Sequence, residues 1–184
     1  MEIVETRIDD LIVLKPKVFG DSRGYFYEEY REDVLSSLGI NVKFVQDNIS
    51  KSVKNTIRGL HYQIGDFAQG KLCHVLVGKV LDVAVDIRFG SPTFGKCYAI
   101  ELSDENHLFY WIPPGFAHGF AVLSETALFH YKCTAYYNKA SEKTLLYNDP
   151  ELNIDWKVET PIVSEKDLIG TKFSDIEKDF VFNK

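Results

Sequence analysis

Leu72-Cys73-His74-Val75-Leu76-Val77-Gly78-Lys79-Val80-Leu81-Asp82-Val83-Ala84-Val85-Asp86-Ile87-Arg88 decides the fold class. Valine, leucine and isoleucine recur at every second or third position, and Gly78 interrupts them once. β-Branched residues at period two favour strands, so the stretch predicts two strands, 72–77 and 79–88, forming a hairpin around Gly78. In the second strand Leu81, Val83, Val85 and Ile87 share one face, while Val80, Asp82, Ala84 and Asp86 share the other. The two carboxylates either meet water or line a polar cavity between layers.

Outward from this stretch the same pattern repeats. Residues 42–48, 56–63, 97–102, 108–112, 118–123 and 127–133 are further strand candidates, with turns at Lys54-Asn55, Ser91-Pro92-Thr93 and Pro113-Pro114-Gly115. Residues 1–18 hold one or two more, with Pro16 at an edge. Phe19-Gly20-Asp21-Ser22-Arg23-Gly24-Tyr25-Phe26 carries a turn with Arg23 at its tip. The clearest helix runs from Glu28 to Leu38 and stops at Gly39. From Asn148 onward the chain is more polar and irregular, with a short helix near Ser174 and Glu177 in capping position. Many short strands and few short helices predict a mainly β protein, a sandwich or small barrel. One domain over 1–184 is expected, with its β core at about 40–150, an N-terminal arm and an irregular C-terminal segment.

A formal charge of −6 argues against nucleic acid as a partner. Three cysteines with no CxxC pair argue against a disulfide framework or a four-thiolate zinc site. The acidic N-terminus lacks an apolar signal core, and no apolar run is long enough to span a membrane. A cytoplasmic protein with no membrane partner is the expectation.

Arg58-Gly59-Leu60-His61-Tyr62-Gln63 gathers chemistry on one strand, and Lys71 follows it. His61 suits a proton-transfer base, because imidazole titrates near neutrality. His118 follows the rigid Pro113-Pro114-Gly115 entry. His74, His107 and His130 are assigned to packing or surface. A PxGxxH element in a jelly roll points to a cupin, yet no HxH pair exists, so a three-histidine metal site is not expected. No GxSxG elbow is expected, since Gly20-Asp21-Ser22-Arg23-Gly24 reads as a turn, and GxGxxG and P-loop patterns are absent, which argues against nucleophilic hydrolysis and the usual phosphate loops. Acid–base chemistry remains. Lys71 or Arg58 could hold an oxyanion, and a tyrosine of the Phe129-His130-Tyr131 strand could return a proton.

Several segments together resemble the dTDP-4-dehydrorhamnose 3,5-epimerases. They are Phe19–Phe26, Phe44–Asn48, Arg58–Gln63, Gln69–Leu72, Asp82–Arg88 with Ser91–Gly95, Ile112–Phe120, Tyr131–Thr134 with Tyr137, Tyr147–Pro150, Ile154–Trp156 and Val163–Asp167. Their order and spacing cover nearly the whole chain; Gly70, Tyr147 and Val163 are mild departures. The resemblance implies a cupin-type jelly roll, a homodimer, no metal or redox cofactor, and a nucleotide sugar with a 4-keto-6-deoxy ring as substrate. It implies inversion at C3 and C5, the alternative being inversion at one of them or ketoisomerisation of a related sugar. By the same resemblance His61 is the base and Asp167 its partner, with Asp82 a second candidate. Lys71 holds the enolate oxygen and Tyr131 is the acid. Phe19, Arg23, Phe26 and Glu28 form a nucleotide-binding edge reached partly across the dimer. Gln46, Asn48 and Arg58 contact diphosphate or sugar, and Trp111, His118 and Tyr137 line the pocket.

Overall fold

The alternating pattern produces fourteen strands in the computed structural model, which describes every residue except 6, 7, 9, 183 and 184. In chain order come β1 (Glu2–Glu5), β2 (Ile12–Lys15), β3 (Phe19–Asp21), β4 (Gly24–Phe26), helix α1 (Glu32–Ser37), β5 (Gln46–Val53) and β6 (Thr56–Gln63). Then follow β7 (Lys71–Val77), β8 (Lys79–Asp86), β9 (Cys97–Ser103), β10 (Phe109–Ile112), β11 (Phe116–Val122) and β12 (Thr126–Cys133). β13 (Glu142–Thr144), β14 (Ile162–Val163) and helix α2 (Glu165–Leu168) come next.

Two sheets face each other as a sandwich. The first has the order β1-β2-β10-β7-β12-β5. The second has the order β13-β6-β11-β8-β9, and β14 adds to β6 in parallel. The β3–β4 hairpin stands apart from both. This is the jelly-roll arrangement of the cupins.

Three apolar layers follow from the side-chain alternation. Cys73, Val75, Tyr110 and Phe129 of the first sheet meet Val80, Ala84, Phe116, Phe120 and Val122 of the second in the central core. Leu81, Val83 and Val85 point the other way, under a cover that includes Leu145, Tyr147, Leu152 and Trp156. Leu14, Leu72, Phe109 and Trp111 form the outer face of the first sheet, closed by Leu35 and Ile40. Removing the fully buried Phe129 side chain costs about 3–5 kcal/mol, since its neighbours lie on two facing sheets and can collapse only partly. Asp82 and Asp86 share the inward face with Val80 and Ala84 and are fully buried. Asp86 is held there by Arg88, Ser91 and Thr93.

Residues 72–88 are not a hairpin. β7 pairs with β10 and β12, whereas β8 pairs with β9 and β11. Gly78 turns the chain from one sheet into the other at φ +82°, and a Cβ there would meet the Thr126 carbonyl oxygen at 2.2 Å. The first helix is also shorter than Glu28–Leu38. Arg31 is extended at its start, Glu29 reaches across to His74 and His130, and the Tyr30 ring packs edge-on against Phe44. These contacts hold residues 28–31 out of the helix. The strand expected at 42–48 begins at Gln46 and runs to Val53. Near Ser174 only a single 3₁₀ turn forms, over Phe173–Asp175, and Glu177 pairs with Lys143 instead of capping it.

Candidate active site

β6 and β11 lie so close at Gly59 that a Cβ on it would come within 2.5 Å of the Gly119 Cα; Gly59 also sits at φ +137°. This approach sets His61 opposite His118 in the register of the two strands. Lys71 starts β7 and Tyr131 lies on β12, both in the opposite sheet. A cavity of about 490 Å³ opens between the sheets, lined by Arg58, His61, Lys71, His118, Tyr131 and Asp167 together with Ser50, Thr56, Phe129 and Lys166.

Asp167 arrives from far along the chain. Ser164 caps α2 and accepts the Asp167 backbone N–H at 3.3 Å, which places the carboxylate in the first turn of the helix. Its Oδ1 lies 2.6 Å from His61 Nε2, and its Oδ2 accepts the Gly59 N–H at 3.3 Å. Burial opposes the charge of Asp167. The hydrogen bond and charge of His61, with the Gly59 and Ser164 contacts, still hold its carboxyl below the usual aspartate range. Asp167 is thus an anion bonded to one ring nitrogen of His61.

Lys71 lies 3.5 Å, Nζ to O, from the His61 carbonyl and is buried at the cavity wall. Burial, with the Cys133 and Cys73 thiols beside it, pushes the Tyr131 hydroxyl up to about 12. It therefore keeps its proton at neutral pH. His118 and Asp82 form a second pair at 2.8 Å, so Asp82 serves His118 and not His61. Burial pushes His118 below its usual value although Asp82 pulls the other way.

The sequence and fold of known proteins match this arrangement over almost all of its length. The family model for dTDP-4-dehydrorhamnose 3,5-epimerase matches residues 5–175. The chain belongs to the dTDP-4-dehydrorhamnose 3,5-epimerase family. It is 51% identical over 178 residues to such an epimerase of Shigella flexneri, covering 96% of this chain and 98% of that one. Its fold matches a dTDP-6-deoxy-D-glucose-3,5-epimerase of Legionella pneumophila, solved in complex with dTDP-4-keto-L-rhamnose. There the TM-score is 0.96 at 48% identity, over 100% of this chain and 99% of the other. A dTDP-4-dehydrorhamnose 3,5-epimerase of Elizabethkingia anophelis gives a TM-score of 0.91 at 53% identity, over 98% and 99%. The protein is accordingly an enzyme, an isomerase.

In this epimerase Gln46, Asn48 and Tyr137 line an adjoining cavity of about 250 Å³, whose wall includes His61, Lys71 and Tyr131. Gln46 accepts the Tyr137 backbone N–H at 2.8 Å and donates to Asn48 at 3.0 Å, while Arg58 donates from Nε to Ser52 at 3.0 Å. The two cavities thus meet at the proposed reacting groups.

Trp111 is elsewhere. Period two along β10 sends Tyr110 inward and Trp111 outward, into the cluster of Leu35 and Leu72 and edge-on to Phe44. Phe19, Arg23 and Phe26 line a separate shallow cavity on the β3–β4 hairpin, with Arg23 bonded to Asp21. Glu28 and Phe19 border a third cavity beside α1. None of these four residues lines the His61 cavity of the same chain.

Lys166 and Glu142 had no place among the sequence-derived candidates. They pair at 2.5 Å beside the two cavities, and Tyr137 donates to Glu142 at 3.1 Å. The signal for Lys166 was its position next to Asp167. Glu142 had none, because β13 is three residues long. Two groups of side chains have metal-ligand character among the described residues: Cys73, Asp82 and His118 behind the cavity, and Glu29, His74 and His130 on the outer face of the first sheet.

Proposed function

We propose that the protein inverts C3 and C5 of a dTDP-linked 4-keto-6-deoxyglucose, yielding dTDP-4-dehydro-L-rhamnose. One observation carries this reading: a histidine on one sheet, paired with a carboxylate from helix α2, and a protonated tyrosine on the facing sheet line the same cavity.

The C4 ketone makes the neighbouring C–H bonds acidic, since each carbanion delocalises onto the C4 oxygen. Neutral His61, with its Nε2–H given to Asp167, offers the Nδ1 lone pair to the C–H proton. The imidazolium that forms is stabilised by the Asp167 anion. Lys71 holds the negative oxygen of the enolate. Tyr131 then gives its proton to the opposite face of the carbon, which inverts the centre. His61 ends with one proton more and Tyr131 with one fewer, and exchange with solvent restores both. No electrons are transferred to or from the sugar. Gln46, Asn48, Arg58, His118 and Tyr137 are assigned to sugar and diphosphate contacts.

A second copy of the chain completes the site. Phe19, Tyr25 and Phe26 are more than half exposed on a hairpin away from their own His61 cavity. Two aromatic rings, a guanidinium and a carboxylate at Phe19, Phe26, Arg23 and Glu28 suit a thymidine diphosphate presented across a dimer.

The test is incubation with dTDP-4-keto-6-deoxyglucose in deuterated water, followed by proton NMR. Deuterium at both C3 and C5 with inversion supports the reading. Deuterium at one carbon alone assigns a single-site epimerase. Binding without any exchange overturns the catalytic reading.

A further inference from the structure

On the outer face of the first sheet, away from the sugar cavity, three side chains converge whose contacts cannot all be hydrogen bonds. His74 lies on β7 and His130 is its register partner on β12. Glu29 reaches over them from the segment after β4. His74 Nε2 is 2.8 Å from His130 Nδ1, His130 Nδ1 is 3.0 Å from Glu29 Oε1, and Glu29 Oε1 is 3.3 Å from His74 Nε2.

Each ring nitrogen is either a donor or an acceptor, never both, and a carboxylate oxygen only accepts. The nitrogen–nitrogen contact needs one of each. The accepting nitrogen then turns its lone pair on the glutamate oxygen. If both nitrogens donate to Glu29, two N–H groups oppose each other at 2.8 Å. With Glu29 ionised, every assignment of protons to the two rings leaves one side of the triangle repulsive. A cation taking the three lone pairs removes that conflict.

The dimensions fit such an ion. A divalent transition metal about 2.1 Å from imidazole nitrogen and carboxylate oxygen spaces neighbouring ligands about 3.0 Å apart in octahedral geometry and about 3.4 Å in tetrahedral geometry. Two imidazoles and one carboxylate are ligands typical of zinc and of other first-row divalent ions. The histidine side chains are 3% and 9% exposed, so their rings are held in place. His74 is stacked on Phe109 at 4.4 Å, and Asp47 lies 3.7 Å from the other nitrogen of His130. A carboxylate behind a ligating histidine orients the ring and raises its basicity. Glu29 is 40% exposed, which leaves an approach from solvent for the ion and for a water ligand.

We propose that Glu29, His74 and His130 form a binding site for one divalent transition-metal ion, with zinc the best fit to these donors. The ion fastens the segment that follows β4 to strands β7 and β12. Its place is structural, separate from the His61 cavity, and it takes no part in proton transfer.

The experiment uses the full chain, stripped with a chelator and passed through gel filtration, then titrated calorimetrically with Zn²⁺. Metal content is read after a second gel filtration, and cobalt substitution adds a visible spectrum of the site. One zinc per chain and a higher melting temperature are expected. Glu29→Gln, which keeps the shape of the side chain, should weaken zinc binding by more than about tenfold. His74→Gln with His130→Gln should abolish it. Exchange at C3 and C5 by the stripped protein at saturating sugar should stay within about twofold of the zinc-loaded protein, which separates this site from the chemistry. A chain that holds no zinc after gel filtration overturns the proposal. So does zinc retained unchanged in the double variant, which would place the ion elsewhere, as at Cys73, Asp82 and His118.

Discussion

Two histidines on neighbouring strands of one sheet each pair with an aspartate, and their surroundings differ. His61 is 2.6 Å from Asp167 and keeps 28% exposure of its side chain. His118, its register partner, is 2.8 Å from Asp82, with exposures of 7% and 0%. Both oxygens of Asp167 are engaged, one by His61 and one by Gly59, whereas Asp82 Oδ2 has no hydrogen-bond partner among the described residues. Burial holds His118 below its usual pKa. A base that gains a charge each turnover needs an anion already held in place and a ring that reaches the substrate. The first pair offers a carboxylate fixed by two hydrogen bonds and a ring open to the cavity. The second is almost closed off, its ring held between Cys73 and Asp82 with one side on the cavity wall. The same two residue types thus stand open to the cavity in one setting and nearly closed off in the other.

Substitutions can break this contrast. His61→Asn removes the base and should lower turnover by about 10³–10⁴-fold, with sugar-nucleotide binding changed only a few-fold, as read by NMR exchange and calorimetry. Tyr131→Phe should lower inversion by about 10²–10³-fold. It should also leave deuterium exchange on the His61 face, because proton removal survives when proton return on the opposite face is lost. Asp167→Asn keeps the imidazole but loses the anion behind it, for a decrease of roughly 10²-fold in turnover. His118→Asn should change turnover by less than about tenfold. It should instead cost about 1–3 kcal/mol in urea unfolding, because the buried Asp82 carboxyl loses its hydrogen-bond partner.

Asp167 also makes a pH-dependent contribution. Its folded pKa lies below its unfolded value, so the unfolded chain binds a proton first as pH falls. The stabilisation is complete above about pH 4 and is lost as pH drops through the depressed folded value. Wild type should exceed Asp167→Asn by about 1–2 kcal/mol at neutral pH, and the gap should close below pH of about 4 in urea titrations.

The bounds of β6, Thr56–Gln63, were legible because Asn55 and the apolar alternation mark them locally. His61, Lys71 and Tyr131 were nameable as chemistry, and the structure gathers them around one cavity. Asp167 lies 106 residues from His61 in sequence, and no periodicity predicts such a meeting; only the family likeness pointed to it. Trp111 was misplaced because both faces of the first sheet are covered by apolar residues, so hydrophobicity alone does not tell inward from outward. The hairpin expected over 72–88 failed for a related reason. Consecutive strands often pair, but in a jelly roll they also pass from one sheet to the other, and a glycine corner looks like a tight turn in either case. Glu29 shows the limit most clearly. A helical pattern runs through it, while its partners lie on two strands more than forty residues away.

The most direct test of the contrast is to follow deuterium incorporation at C3 and C5 of dTDP-4-keto-6-deoxyglucose with His61→Asn and His118→Asn side by side, each folded and each shown to bind the nucleotide sugar. No exchange at either carbon in the first variant and exchange at both in the second is the predicted result. Exchange retained in His61→Asn, or lost in His118→Asn alone, contradicts the assignment of the base.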